Sequence, residues 1–228
     1  MKKKVIIIGG SKGIGKEIAN TLLPDNHVLN ISRSEPSFTD ERLTHFTCDV
    51  LNDELPDIDE ADALIYCPGS INLKPINRLD VEDFREDFEI NVIGAVKAIK
   101  KYIPILKNSE EASVVLFSTV ATMMGMPFHA STAAAKSAVE GLVKSLAAEF
   151  ATSIRFNAIA PTVTDTDLAS KLLRNDKMIE NIKERHPLKS YLDPSDVASL
   201  AEFLISDKSS KISGQVFPID CGIVSLKV

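Results

Sequence analysis

A glycine cluster near the N-terminus constrains the fold of this chain more than any other feature. Residues 9–15 follow an apolar run, residues 5–8, and precede a helical pattern, residues 16–23, that ends at Pro24. Glycine permits positive φ and close backbone approach, and the first turn of a helix offers unpaired N–H groups to an anion. A strand, a glycine turn and a helix in this order predict a binding site for the pyrophosphate of a dinucleotide.

Apolar runs of strand length alternate with segments of helical periodicity along the chain. Strands are predicted at residues 5–8, 28–31, 45–48, 63–66, 114–118, 154–159 and 215–219. Beyond the first helix, helices are predicted at residues 81–107, 132–150, 168–185 and 195–205. Strands that alternate with helices pair in parallel and are covered on both faces. The sequence therefore predicts a Rossmann-like, doubly wound α/β fold with a parallel sheet of about seven strands.

The chain shows no internal boundary. No linker, repeat or low-complexity run divides the 228 residues, so we predict a single dinucleotide-binding domain over residues 1–228. Residues 32–44 and 51–60 are too short for full crossover helices and are predicted to be loops with at most one helical turn.

Charge and hydropathy exclude several partners. The net charge of -6 gives no long-range attraction to nucleic acid or to anionic lipid, so neither is expected as a partner. No apolar run approaches the roughly 18 residues that span a bilayer. Because Gly9 and Gly10 also cut short the only apolar stretch that could resemble a signal peptide, a cytoplasmic location is predicted. Three scattered cysteines without a CxxC pair predict neither a disulfide framework nor a metal site.

The end of the second predicted strand indicates which dinucleotide is bound. An Asp or Glu at this point would accept a hydrogen bond from the ribose 2′-hydroxyl of NAD. The sequence instead has Ser32 and Arg33, and Lys12 adds a second cation within the glycine turn. A guanidinium favours a 2′-phosphate, so NADP(H) is predicted in preference to NAD(H), although Arg33 could also be a solvated loop residue. The turn residues expected to contact the cofactor are Gly9, Ser11, Lys12, Gly13, Ile14 and Gly15.

The GxxxGxG spacing of the glycines resembles that of the short-chain dehydrogenase/reductase family, and further motifs agree almost end to end. Cys48-Asp49-Val50 is similar to the segment with which the family contacts adenine, with Asp49 as the acceptor. Asn91 matches a helix asparagine that helps to hold a water relay. Residues 157–161, which end at Pro161, match the stretch leading to the nicotinamide, and Thr166 matches the carboxamide contact. The resemblance implies hydride exchange between a nicotinamide and a carbonyl or alcohol.

The resemblance breaks at the catalytic residues. The family uses a tyrosine as proton donor, a lysine four residues later and a serine that polarises the carbonyl. Lys136 matches the lysine and Thr119 stands at the serine position, but Thr132 occupies the tyrosine position. An aliphatic hydroxyl does not titrate near neutral pH, so Thr132 could pass a proton only as a link in a hydrogen-bonded chain.

Other residues could supply the proton. His129 lies three residues before Thr132 and is the first candidate, because histidine exchanges protons near neutral pH. It could equally be a loop histidine that bonds a backbone carbonyl. Lys136 could hold the nicotinamide ribose, or lie on a helix surface. Weaker donor candidates are Ser131, Tyr66 and Tyr191.

The leading hypothesis is an NADP(H)-dependent oxidoreductase that acts on a small carbonyl or alcohol through an altered proton relay. The relay would involve Thr119, Thr132, His129 and Lys136. The alternative is a non-catalytic NADP(H)-binding protein that keeps the cofactor as a sensor or structural ligand. The resemblance also implies a homodimer or homotetramer formed through helices 81–107 and 132–150.

Overall fold

Seven strands form one sheet in the computed structural model, which describes residues 2–227. They are β1 (Lys4–Ile8), β2 (His27–Ser32), β3 (Leu43–Thr47), β4 (Ala63–Tyr66), β5 (Ala112–Phe117), β6 (Ile154–Pro161) and β7 (Val216–Ile219). All neighbours run parallel, in the order β3-β2-β1-β4-β5-β6-β7. The predicted doubly wound α/β fold is confirmed.

Helices cover both faces of the sheet. They are α1 (Gly13–Leu22), α2 (Val81–Phe88), α3 (Gly94–Leu106), α4 (Ala130–Glu149), α5 (Asp176–Arg185) and α6 (Pro194–Ile205). Ile6 and Ile8 of β1 pack in one buried cluster with α3 and α4, whereas Val5 and Ile7 pack in a second with α1 and α6. Because strand side chains alternate between faces, each strand buries apolar area on both sides. None of the helices in residues 2–227 is long and apolar enough to cross a membrane.

The segment predicted as a single helix, residues 81–107, is interrupted. A π-helical turn, Glu89–Ile93, separates α2 from α3. Asn91 lies in this turn and is buried, and its side-chain Nδ2 donates to the carbonyl oxygen of Asp87 at 2.7 Å. Single π turns are frequent at functional sites, and this one carries a predicted site residue.

The prediction of a helix over residues 168–185 is wrong in its first half. Only Asp176–Arg185 is α-helical, and a short 3₁₀ turn, Asp167–Ala169, precedes it. The helix begins where it does because the Asn175 side chain accepts a hydrogen bond from the Met178 N–H at 3.0 Å. The two connections predicted to lack full helices, residues 32–44 and 51–60, contain no α-helix.

The predicted site residues lie at one edge of the sheet. The carboxyl ends of the seven strands lie there, since all strands run parallel. The strand order reverses between β1 and β4, and doubly wound sheets bind ligands at such a reversal.

Candidate active site

The glycine turn joins β1 to α1 through a contact that only glycine permits. Gly9 and Gly13 have φ of 81° and 53°. A Cβ at Gly15 would lie 2.3 Å from the carbonyl oxygen of Gly9. The first turn of α1 therefore begins directly beside the strand, and its N–H groups lack partners within the helix. Such a helix terminus is suited to a phosphate group.

A groove of about 930 Å³ extends from this turn past the ends of β2, β3 and β4. Its size falls in the upper part of the range of roughly 300–1,000 Å³ that is typical of ligand pockets. The groove and the helix terminus together fit an elongated anionic dinucleotide. The predicted cofactor residues that line it are Gly9, Ser11, Lys12, Gly13, Ile14, Gly15, Ser32, Arg33, Asp49, Val50 and Thr166.

Asn30, which the sequence analysis missed, joins the glycine turn to β2. It is fully buried, and its Oδ1 accepts from the Gly10 N–H at 2.9 Å. Its Nδ2 donates to Ser11 Oγ at 3.0 Å and to Ser32 Oγ at 3.3 Å, and the two serine oxygens lie 2.6 Å apart. The available signal was a polar residue within an otherwise apolar strand. These bonds fix the two hydroxyls at the groove wall.

Asp49 lies on the groove wall after β3. It accepts hydrogen bonds from the Leu51 N–H at 3.0 Å and from the Asn52 side chain at 3.1 Å. The Leu51 N–H is the main cause that lowers the pKa of the Asp49 carboxyl, and the nearby Arg33 charge adds to it. Asp49 is therefore an ionised acceptor at neutral pH.

A second cavity of about 160 Å³ adjoins the groove. Ile14, Gly69, Ser70 and Thr166 contribute to the walls of both. The predicted residues that line the second cavity are Thr119, His129, Thr132, Lys136 and Pro161. The structure thus brings four of the five predicted catalytic residues to one cavity, and Asn91 lies outside it.

Lys136 is buried on α4 and faces the second cavity. Its Nζ donates to the carbonyl oxygen of Phe117 at 2.9 Å. Burial lowers the pKa of Lys136 to about 8, against the opposing influence of Cys67 and Asp87. At neutral pH the ammonium form dominates, with N–H groups left to donate to a ligand.

Thr132, one helical turn before Lys136, is also buried. Its hydroxyl accepts from the Asn72 N–H at 3.2 Å and donates to Asp87 Oδ2 across 3.4 Å. The Thr132 hydroxyl therefore directs its own proton to a carboxylate, and its oxygen keeps one lone pair that can accept a further hydrogen bond.

Thr119 follows β5 and faces the second cavity. Its Oγ1 accepts from the Ala121 N–H at 3.3 Å, which leaves its proton free to donate to a ligand. The preceding Ser118 instead donates to Glu140 at 2.5 Å. Both residues line the cavity, but the Ser118 proton is bound to Glu140, whereas the Thr119 proton is free to donate to a ligand.

His129 lies at the N-terminus of α4, on the rim of the cavity. Its side chain is half-buried, and Nδ1 lies 2.8 Å from the carbonyl oxygen of Pro127. A carbonyl oxygen only accepts, so Nδ1 carries the proton and Nε2 remains for other contacts. This geometry fits both a rim histidine that contacts substrate and one that only bonds the backbone.

The weaker donor candidates lie less favourably. The Tyr66 hydroxyl donates to the carbonyl oxygen of Ile90 at 2.6 Å, and burial raises its pKa. Ser131 is buried, and neither Ser131, Tyr66 nor Tyr191 is among the residues that line the two cavities.

Asn91 and two residues that the sequence analysis missed, Ser70 and Asp87, form a polar cluster between the π turn and the cavities. Asn91 Nδ2 donates to Ser70 Oγ at 3.1 Å, and Ser70 Oγ donates to Asp87 Oδ1 at 2.5 Å. Asn91 Oδ1 is buried and finds no partner within residues 2–227. Asn91 Oδ1 and Lys136 Nζ both lie beside Gly69. A Cβ built on that glycine would be 3.1 Å from Asn91 Oδ1 and 3.3 Å from Lys136 Nζ, so the two groups are near each other.

Comparisons with known proteins agree with this geometry. A family model described as enoyl-(acyl carrier protein) reductase matches residues 39–224. The 3-oxoacyl-[acyl-carrier-protein] reductase FabG of Rickettsia felis is 29% identical, with 97% of each chain covered. The structure of ElxO with NADP bound has a TM-score of 0.87 at 27% identity, covering 99% of this chain and 100% of that one. 4-Hydroxyisoleucine dehydrogenase complexed with NADH has a TM-score of 0.89 at 27% identity and the same coverage.

The site and these matches define a class of protein. The glycine turn, the groove and the adjoining cavity, together with the matches, indicate an oxidoreductase with a nucleotide-binding Rossmann fold. The chain belongs to the short-chain dehydrogenase/reductase family.

Proposed function

We propose that the protein is an NADP(H)-dependent oxidoreductase that acts on a small carbonyl or alcohol without a catalytic tyrosine. One observation carries this proposal: Thr119, Thr132 and Lys136 face one cavity that opens beside the dinucleotide groove. The cavity, at about 160 Å³, fits a small reacting group. The bound cofactor supplies or accepts a hydride there.

The residues of the groove fit NADP(H) better than NAD(H). Pyrophosphate would bind at the first turn of α1, and adenine beside Asp49 and Val50. No carboxylate stands at the end of β2, where Ser32 and Arg33 line the groove near Lys12. The positive charges of Lys12 and Arg33, together with the Ser11 and Ser32 hydroxyls, suit the binding of a 2′-phosphate. Lys136 would hold the ribose hydroxyls next to the nicotinamide.

Arg33→Ala should weaken binding of NADPH about tenfold and leave binding of NADH nearly unchanged, because only NADPH carries the 2′-phosphate that the guanidinium contacts. The measurement is a titration that follows the fluorescence of each reduced cofactor; the chain has no tryptophan to interfere. Arg85→Ala, an exposed arginine outside the groove, is the matched control. An equal loss of affinity for both cofactors would show that Arg33 does not contact the 2′-phosphate.

The residues of the second cavity have separate roles in the proposed reaction. Thr119 donates a hydrogen bond to the substrate oxygen and polarises the carbonyl. Lys136 places a positive charge beside the same oxygen and stabilises negative charge that develops on it. Thr132 passes the proton as part of a chain, with His129 at the rim as a further candidate donor.

A test of the activity uses NADPH and a panel of soluble carbonyl compounds. The panel contains acetoacetyl-CoA, a mimic of the substrate class in the name of the Rickettsia relative, together with cyclic ketones and small aldehydes. We expect consumption of NADPH with at least one of them, measured by its absorbance. Protein that binds NADPH but reduces none of the panel would count against the proposal.

The second candidate function is a non-catalytic NADP(H)-binding protein, which the threonine at the tyrosine position favours. The substitution Thr132→Tyr separates the two functions. If the wild-type protein is active through a threonine relay, the variant should be slower by about tenfold or more, since the phenol displaces the bonds to Asn72 and Asp87. An inert wild type whose variant gains activity would instead support the non-catalytic function.

We also propose that the chain assembles as a homodimer or homotetramer through α2, α3 and α4. Val81 and Phe88 of α2 are exposed apolar residues, with exposed fractions of 68% and 43%. A mass measured by light scattering at twice or four times the chain mass of 24.9 kDa is expected.

A further inference from the structure

Asp87 is a buried carboxylate that no motif in the sequence accounts for. It is only 2% exposed, and its two oxygens accept from Ser70 Oγ at 2.5 Å and from Thr132 Oγ1 at 3.4 Å. None of the ion pairs within residues 2–227 involves it. The side-chain donors to this carboxylate are therefore two hydroxyls of the candidate active site.

Burial of a carboxylate without a cationic partner costs free energy. An apolar residue of similar size on α2 would avoid that cost. Charged groups retained at such a cost cluster at functional sites, where they hold or move protons. The position of Asp87 agrees, because the residue lines the cofactor groove while its Oδ2 faces the hydroxyl that lines the adjoining cavity.

We propose that Asp87 exchanges the reaction proton with substrate through Thr132, and so supplies the acid–base function that the phenol of a tyrosine would provide. This inference rests on the proposed oxidoreductase function. Asp87 is the terminal acceptor of the chain, and Thr132 is the group that touches substrate. The Asn72 N–H holds the Thr132 oxygen between the two.

The step balances in both directions. During oxidation of an alcohol, the substrate O–H proton moves to Thr132 Oγ1 as the proton of Thr132 moves to Asp87 Oδ2. The substrate C–H hydrogen leaves with its electron pair as the hydride that the cofactor takes up, and the O–H electron pair forms the second bond of the carbonyl. Reduction of a carbonyl reverses each transfer, with Asp87 starting as the protonated acid.

The electrostatics around Asp87 also favour this role. Asp87 is near enough to Lys136 that its charge raises the pKa of that ammonium, against the larger opposing effect of burial. Ser70 contacts Asp87 and lines the groove, which gives the carboxyl a route for proton exchange with solvent.

The test compares Asp87→Ala, Thr132→Val and their double variant, with the panel substrate that the wild-type protein reduces fastest. Each single variant should lower kcat about 100-fold with KM changed by less than about twofold, and the double variant should lose no more than either alone, since both act in one chain. Sodium formate should raise kcat of Asp87→Ala about tenfold, because formate fits the space left by the carboxyl group.

Two further measurements separate proton transfer from folding and cofactor binding. The melting temperature without substrate should show that Asp87→Ala remains folded, and its NADPH affinity from the fluorescence titration should fall far less than kcat does. Glu82→Gln, which removes an exposed carboxylate from the same helix, is the matched control and should leave every readout unchanged.

The outcomes are distinct. An active wild type whose Asp87→Ala variant keeps full kcat would overturn the inference alone, as would a loss that formate does not restore. A large loss in His129→Gln with none in Asp87→Ala would assign the proton to His129 instead. A wild type that binds NADPH but reduces none of the panel would overturn the proposed function, and this inference with it.

Discussion

Gly15→Ala is expected to abolish dinucleotide binding and to lower the stability of the chain. The added Cβ would lie 2.3 Å from the carbonyl oxygen of Gly9 and 3.1 Å from Cys67 Cβ. Both neighbours are backbone or the first atom of a side chain, so α1 must move away from β1. We expect a loss of about 3 kcal/mol in the free energy of unfolding, together with loss of the NADPH fluorescence change.

Gly141→Ala is the matched control for this prediction. Gly141 is exposed within α4, and a Cβ there meets nothing within 4 Å. Alanine should stabilise the helix by up to about 1 kcal/mol and leave cofactor binding unchanged. Denaturant unfolding of the two variants measures both effects. Equal stability of Gly15→Ala and the wild type would contradict the close contact between the turn and α1.

Lys136→Met should reduce kcat/KM by about 1,000-fold while the chain remains folded. The substitution removes the ammonium group of Lys136, the one lysine among residues 2–227 that lines the second cavity. Steady-state kinetics with the best panel substrate measures the loss. A variant with methionine that keeps most of its activity would show that the ammonium has no part in the reaction.

The pH dependence of Lys136 gives this prediction a second readout. Burial lowers its folded-state pKa from 10.5 to about 8, so the unfolded chain binds more protons between these values. The contribution of Lys136 to the free energy of unfolding therefore rises as pH increases from about 8. Activity that requires the ammonium falls over the same interval. The pH slope of stability should be smaller in Lys136→Met than in the wild type.

The fold could be predicted from the sequence because its signals are local. The apolar run before the glycines, the glycine spacing and the helix after them indicate β1, the turn and α1 without knowledge of the remainder. The break in the helix over residues 81–107 could not be predicted, because a π turn depends on where Asn91 finds its partners. The start of α5 was missed for a similar reason, since the cap at Asn175 competes with a continuous helical pattern.

The site could be predicted only in part. Lys136 and Thr132 are four residues apart on one helix, so their shared face follows from helical periodicity. Asp87, Ser70 and Asn30 were missed because each meets its partners across elements distant in sequence. Asp87 in particular lies in a charged stretch of α2, where a carboxylate is the expected residue of a solvated helix face. Only the packing of α2 against α4 shows that it is buried.

The most direct test of the central claim is the titration of the wild-type protein with NADPH and NADH, followed by cofactor fluorescence. It requires no knowledge of the substrate. Binding of NADPH at least about tenfold tighter than binding of NADH is the result that the groove, Ser32 and Arg33 predict. Tighter binding of NADH would contradict the assignment of the 2′-phosphate site, and absence of binding to either cofactor would contradict the proposed function as a whole.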